Sequence, residues 1–130
     1  MARPSRPLVL YQDTCRFCRG AARLLARLDR REELAMLGFG DPAAAPYISG
    51  IPVHELDSSW QLILPMGERL MEGRAAIAAL EAVRATGWVG RLLRILRMGA
   101  LVDLAYRAVA HSRGFFGRFV ADRPGPRRLP

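Results

Sequence analysis

Two cysteines, Cys15 and Cys18, are the residues whose types and spacing most directly imply chemistry in this chain. Residues at i and i+3 lie on neighbouring positions of one helix face, close enough for their sulfurs to join in a disulfide. A pair that can open and close in this way exchanges electrons with other thiols and disulfides. Position adds to the spacing. The cysteines fall at the start of a helical pattern running to about Arg30, where unpaired N–H groups and positive potential favour thiolate over thiol. Arg16 and Arg19 push the same way. Helix phase separates the two sulfurs: Cys18, Ala22 and Leu25 recur at i, i+4 and i+7, with Ala21 and Leu28 beside them, on the face that should pack. Arg16, Arg19, Arg23, Arg27 and Arg30 trace a separate, solvated stripe. Cys15, nearer the exposed tip, is therefore the expected attacking thiolate and Cys18 the buried resolving thiol.

Two plainer readings compete with this one. A Cys-x-x-Cys pair is also half of a zinc site, but structural zinc usually takes four protein ligands. Only His54 and His111 are left to complete it, and neither stands at knuckle spacing. Two inert, buried cysteines are the other reading. No metal and no cofactor is expected.

The elements that must position the pair can be read around it. Leu8-Val9-Leu10-Tyr11 has the length and composition of a buried strand. Gln12-Asp13-Thr14 follows as a polar turn with two residues suited to capping a helix. Beyond the helix, Leu34 to Phe39 reads as a second strand, parallel to the first, and its charge-free run suggests a central, doubly covered place. Gly40 to Pro46 is rich in breakers. Ser59 to Leu64 and Arg69 to Met71 read as antiparallel strands around a Pro65-Met66-Gly67-Glu68 turn. Trp60 is either a core residue or a flank of the active site. His54 is expected on the surface.

Three helices follow. The first runs from Gly73 to about Thr86, with Ala76, Ile77, Leu80 and Val83 on its apolar face. The second, from Trp88 to Arg97, sets Val89, Leu92, Leu93 and Leu96 against Arg91, Arg94 and Arg97. Leu101, Leu104, Ala105 and Ala108 shape the third, which reaches about His111. Basic amphipathic helices with Trp and Leu also lie on membranes. The stripes are expected instead to cover the second face of the sheet. The organisation expected is an N-terminal extension over 1–7, a single domain over 8–121 and a flexible tail over 122–130, too rich in proline and charge to fold by itself.

The ordered set of motifs resembles the DCC family of thiol-disulfide oxidoreductases, named for an Asp-Gly-x-Cys-x-x-Cys motif after a first strand. The likeness runs from Leu8-Val9-Leu10-Tyr11 and Cys15-Arg16-Phe17-Cys18-Arg19 through Ser59-Trp60-Gln61-Leu62, Pro65-Met66-Gly67 and Gly73-Arg74-Ala75-Ala76. It closes at Tyr106 to Arg113, similar to the family's Tyr-x-x-hydrophobic-Ala-x-x-Arg pattern. Where the family has Asp-Gly, this chain has Gln12-Asp13, which moves or removes a carboxylate beside the cysteines. The resemblance implies an α/β, thioredoxin-like fold, a small mixed sheet flanked by helices with additional C-terminal helices. It also implies dithiol–disulfide exchange at Cys15 and Cys18, with Asp13, Arg16, Arg19 and Trp60 as candidate supporting residues. Gly50-Ile51-Pro52 is similar to the Ile-Pro of thioredoxins, where a cis proline faces the cysteines. Val53 to Asp57 intervenes before the next strand, so an ordinary loop proline is expected.

Bulk properties bound the rest. At 130 residues and 51% hydrophobic, the chain is of single-domain size. The basic start carries only four apolar residues in a row, short of a signal peptide, and no stretch approaches a membrane span. The cytoplasm is the expected compartment, and two cysteines in one motif do not make the disulfide framework of a secreted scaffold. The net charge is +8 and every basic residue is arginine. That balance suits nucleic acid, an anionic membrane or an acidic partner, but it also fits genome composition. No reader motif for nucleic acid is present. The expected partner is a disulfide-containing protein or a small thiol, with peripheral membrane contact open and no specific nucleic acid. The competing function is a non-catalytic interaction module of the same fold, binding an acidic partner or anionic surface through its arginines.

Overall fold

The structure, a computed structural model, describes residues 3–130, so the first two positions of the expected 1–7 extension lie outside the described residues. Leu8–Tyr11 forms β1, and every residue in it is buried. Alternation explains how one short strand serves two cores: Val9 and Tyr11 point to one side of the sheet, Leu8 and Leu10 to the other. Helix α1 (Arg16–Leu28) leads to β2 (Ala35–Gly38), which pairs parallel with β1. Strands β3 (Gln61–Ile63) and β4 (Arg69–Met71) form the antiparallel half, β3 lying against β1. The sheet order is β2-β1-β3-β4, the arrangement of a thioredoxin-like domain. Between the halves lie a 3-10 turn (Pro42–Ala44) and helices α2 (Ala45–Ile48) and α3 (Val53–Ser58). Pro52 opens α3, and no peptide bond among the described residues is cis. In the β3–β4 turn the Gly67 N–H donates to Leu64 O at 2.8 Å, with Gly67 at φ +94°, a conformation glycine adopts without penalty.

Helices α4 (Glu72–Ala82), α5 (Gly87–Ile95), α6 (Gly99–His111) and α7 (Arg113–Phe116) complete the chain, followed by a 3-10 turn (Gly117–Phe119). One sheet face is covered by α1 and α4, through Ala22, Leu25, Ala75, Ala79 and Val83. The other face is covered by the 39–48 segment, with Ala44 buried and Phe39, Tyr47 and Ile48 packed around it. This corrects the expectation for the last helices. Because the short 39–48 segment already fills the second face, α5 and α6 stack on α4 instead. They approach it through glycine: a Cβ on Gly90 would come within 2.7 Å of Glu81 N, and one on Gly73 within 2.5 Å of Asp103 N. With small residues turned inward, Trp88, Leu92 and Ile95 of α5, its C-cap Leu96, and Leu101, Leu104 and Val109 of α6 remain exposed.

The structure adds further detail to the sequence reading. First, β2 is an edge strand, not a central one; its free edge is closed by an antiparallel bridge in which Met36 and Arg128 exchange N–H···O bonds of 2.9 and 2.7 Å. Second, the 122–130 tail makes contacts with the domain along its length. Tyr11 Oη donates to Pro126 O at 2.6 Å, and Arg127 pairs with Asp41 at 2.6 Å. Arg128 reaches Asp29, a fully buried carboxylate that also accepts from Leu34 N–H. A segment too polar to build its own core is held by groups of the domain it crosses. Third, the arginine stripe of α1 is part of that anchorage: Arg19 and Arg23 donate to Arg123 O, and Arg23 also to Ala121 O. Leu28, expected on the packed face, is 40% exposed, since α1 ends there as the chain turns to present Asp29.

Candidate active site

The turn from β1 into α1 sets the geometry. Cys15, expected at the exposed tip before the first full turn, is the N-cap: its backbone is extended and its Sγ accepts the Cys18 N–H at 3.3 Å. A cap position leaves several helix N–H groups free of internal partners, and a charged acceptor is favoured among them. Cys18 lies one turn on. Both cysteines are free and partly buried. Burial pushes the Cys18 thiol well above its ordinary range. The hydrogen bond with Cys15 and the charge of Cys15 add to the rise, while Arg113 pulls it back.

The surroundings of the sulfurs come from distant parts of the chain. Cys18 faces a cavity of about 280 Å³ between α1, the sheet and α6, lined largely by apolar side chains including Ala22, Leu25 and Trp60. Tyr106 and Arg113 enter it from the C-terminal helices. Tyr106 Oη lies 3.4 Å from both Ser59 Oγ and the Trp60 N–H. Burial raises the Tyr106 phenol, and a Cys18 thiolate would raise it further. Gln12 Oε1 is buried beside the same cavity and accepts no hydrogen bond. Cys15 opens the other way, into a groove of about 640 Å³ formed with α6, α7 and the turn after them. The wall of α7 is seated by Phe116 against Phe17, their ring centroids 6.1 Å apart.

The candidate supporting residues take different places. Trp60 lines the Cys18 cavity and Arg16 the Cys15 groove. Asp13 turns from the sulfurs, its carboxylate accepting from Gly40 N–H at 2.9 Å. Arg19 donates to Asp13 O at 2.6 Å and pairs with Asp122 at 2.6 Å, so it ties the turn to the tail. His54 is exposed on α3. Reasoning from the cysteine motif alone missed Arg113, Tyr106 and Ser59. The signal was present in the closing Tyr106-to-Arg113 pattern, read there as a mark of resemblance and not as part of a site.

A family model for DCC1-like thiol-disulfide oxidoreductases matches residues 9–119. The chain belongs to this family. The matched span holds both cysteines, Trp60, Tyr106 and Arg113, and stops short of the tail that closes β2. No curated protein and no solved structure matched the chain. Membership supports oxidoreductase activity on disulfides. No helix among the described residues is long and apolar enough to cross a membrane.

Proposed function

We propose that this chain is a dithiol–disulfide exchange enzyme in which Cys15 attacks and Cys18 resolves. The observation that carries the reading is the N-cap placement of Cys15, with the Cys18 N–H on its sulfur and an open groove before it. Attack by the Cys15 thiolate on a substrate disulfide breaks that S–S bond, forms a mixed disulfide and releases one substrate thiolate. The step also prepares the next one. Two of the causes that raise Cys18 are its hydrogen bond and charge interaction with Cys15, and both are lost once Cys15 is bonded to sulfur. Arg113 then favours the Cys18 thiolate. That thiolate attacks Cys15 Sγ, closing the Cys15–Cys18 disulfide and releasing the second substrate thiolate. Arg16 at the groove and Trp60 at the cavity are proposed as supporting residues. The partner is a protein disulfide or a small one, and the proposed setting is the cytoplasm. Titration across a glutathione redox series, read by mass spectrometry of the alkylated protein, should show a reversible loss of two thiols. Two free thiols under strongly oxidising conditions would sink the proposal.

A second reading rests on a different observation. From Val83 to Ala121 the chain has seven arginines and one acid, Asp103. The same stretch exposes Trp88, Ile95, Leu104, Phe115 and Phe119. Arg94 and Arg107 are paired with Glu81 and Glu72, while large apolar groups beside the remaining arginines suit an anionic lipid surface. The stretch is then a docking face for an anionic bilayer, compatible with the exchange chemistry.

A further inference from the structure

The groove in front of Cys15 has a charge that exchange chemistry alone does not require. Its walls carry three guanidinium groups, Arg16 from α1, Arg113 from α7 and Arg118 from the turn after it, together with the imidazole of His111. No acidic side chain lines it. The carboxylate nearest in the pairing scheme, Asp122, reaches Arg16 only at 3.5 Å across an exposed surface and is held more closely by Arg19 at 2.6 Å. An exposed pair at that separation neutralises little. Arg113 donates to a backbone carbonyl, Asp57 O, so its charge is not cancelled either. At about 640 Å³ the open groove has room for a compact organic molecule. Phe17 supplies an apolar wall beside the sulfur.

We infer that this groove seats a low-molecular-weight disulfide bearing carboxylates, whose negative groups pair with Arg16, Arg113 and Arg118 while one sulfur meets Cys15; the inference rests on the exchange function proposed above. The balance is simple. Cys15 thiolate displaces one small thiolate from the disulfide and forms the mixed disulfide. Cys18 gives its proton to solvent, attacks Cys15 Sγ and releases the second small thiolate. The two cysteines lose two electrons, and the small disulfide gains them.

The test measures oxidation of the fully reduced chain by three disulfides: glutathione disulfide, which is anionic, hydroxyethyl disulfide, which is neutral, and cystamine, which is cationic. Each rate constant is divided by that for dithiothreitol under the same conditions, removing differences in leaving-group reactivity. At low salt the normalised rate for glutathione disulfide should exceed that for the neutral compound about tenfold, with cystamine slowest. The preference should shrink to about twofold in 0.5 M salt, where the Debye length is only about 4 Å. Arg118→Gln should lower the anionic-to-neutral ratio several-fold, whereas Arg84→Gln, on a different surface, should not move it. A ratio near one at low salt overturns the anion site while leaving the dithiol function standing, because the neutral disulfide still oxidises the pair. No reaction with any of the three overturns the exchange function itself.

Discussion

Cys15 and Cys18 are separated by one helical turn yet occupy different surroundings. One sulfur caps the helix and opens into a groove; the other faces a largely apolar cavity that pushes its thiol upward. A raised thiol is mostly protonated at neutral pH and reacts slowly. Iodoacetamide at pH 7 should therefore label Cys15 at least about tenfold faster than Cys18 in the reduced protein. Cys15→Ser should abolish attack on disulfides. Cys18→Ser should preserve attack but not resolution, so mixed disulfides accumulate and can be isolated. In Cys15→Ser the contributions of Cys15 to Cys18 are gone while burial remains, so the alkylation midpoint of Cys18 should fall from its wild-type value yet stay above that of free cysteine. Faster labelling of Cys18, or trapping by the Cys15→Ser variant, would reverse the assigned roles.

Among the elements, the contacts of α5 and α6 with α4 depend on the absence of side chains at Gly90 and Gly73. A Cβ on Gly90 would meet backbone atoms of α4, Glu81 N at 2.7 Å and Ile77 O at 2.9 Å, and backbone cannot step aside as a flexible side chain can. Helix propensity favours alanine over glycine by about 1 kcal/mol, so the two effects oppose each other. Overpacking costs about 1–3 kcal/mol and more where backbone must shift, so it should win. Gly90→Ala is expected to lower stability by about 1–2 kcal/mol in urea unfolding. Gly99→Ala, where an added methyl meets nothing within 4 Å, should be neutral or slightly stabilising. Equal stability of the two variants would mean that α5 does not approach α4 so closely.

For the whole molecule, the distribution of apolar surface sets the expectation. Trp88 is 67% exposed, Ile95 69% and Phe119 77%, in a stretch nearly free of acids. Vesicles containing about a third anionic phospholipid should bind the protein, shift Trp88 fluorescence to shorter wavelength and release it progressively with salt. Neutral vesicles should bind it more weakly. A Leu92→Glu, Ile95→Glu double variant, altered only at exposed positions, should lose about tenfold or more in vesicle affinity. No binding to anionic vesicles, or a concentration-dependent dimer that hides Trp88, would reject the lipid surface as the occupant.

What the sequence determined by itself was local in character. Short apolar runs bounded by turn residues placed the strands, and helical phase placed α1, α4, α5 and α6 with ends displaced by only a few residues. The Cys-x-x-Cys spacing at a strand-to-helix turn marked the cysteine pair as the candidate site without any tertiary information. What only the tertiary structure decided was which surfaces meet. Apolar periodicity shows that a helix has an apolar stripe but not what will cover it, so it could not reveal that the 39–48 segment fills the second sheet face and leaves α5 and α6 with exposed stripes. Nor does a run of buried residues in β2 distinguish a central strand from an edge closed by Arg128, since both exclude water. Arg113 and Tyr106 join the site from some ninety residues away in sequence. Their approach to Cys18 depends on α6 packing on α4 and α7 on α1, long-range contacts that the closing Tyr106-to-Arg113 pattern does not itself specify.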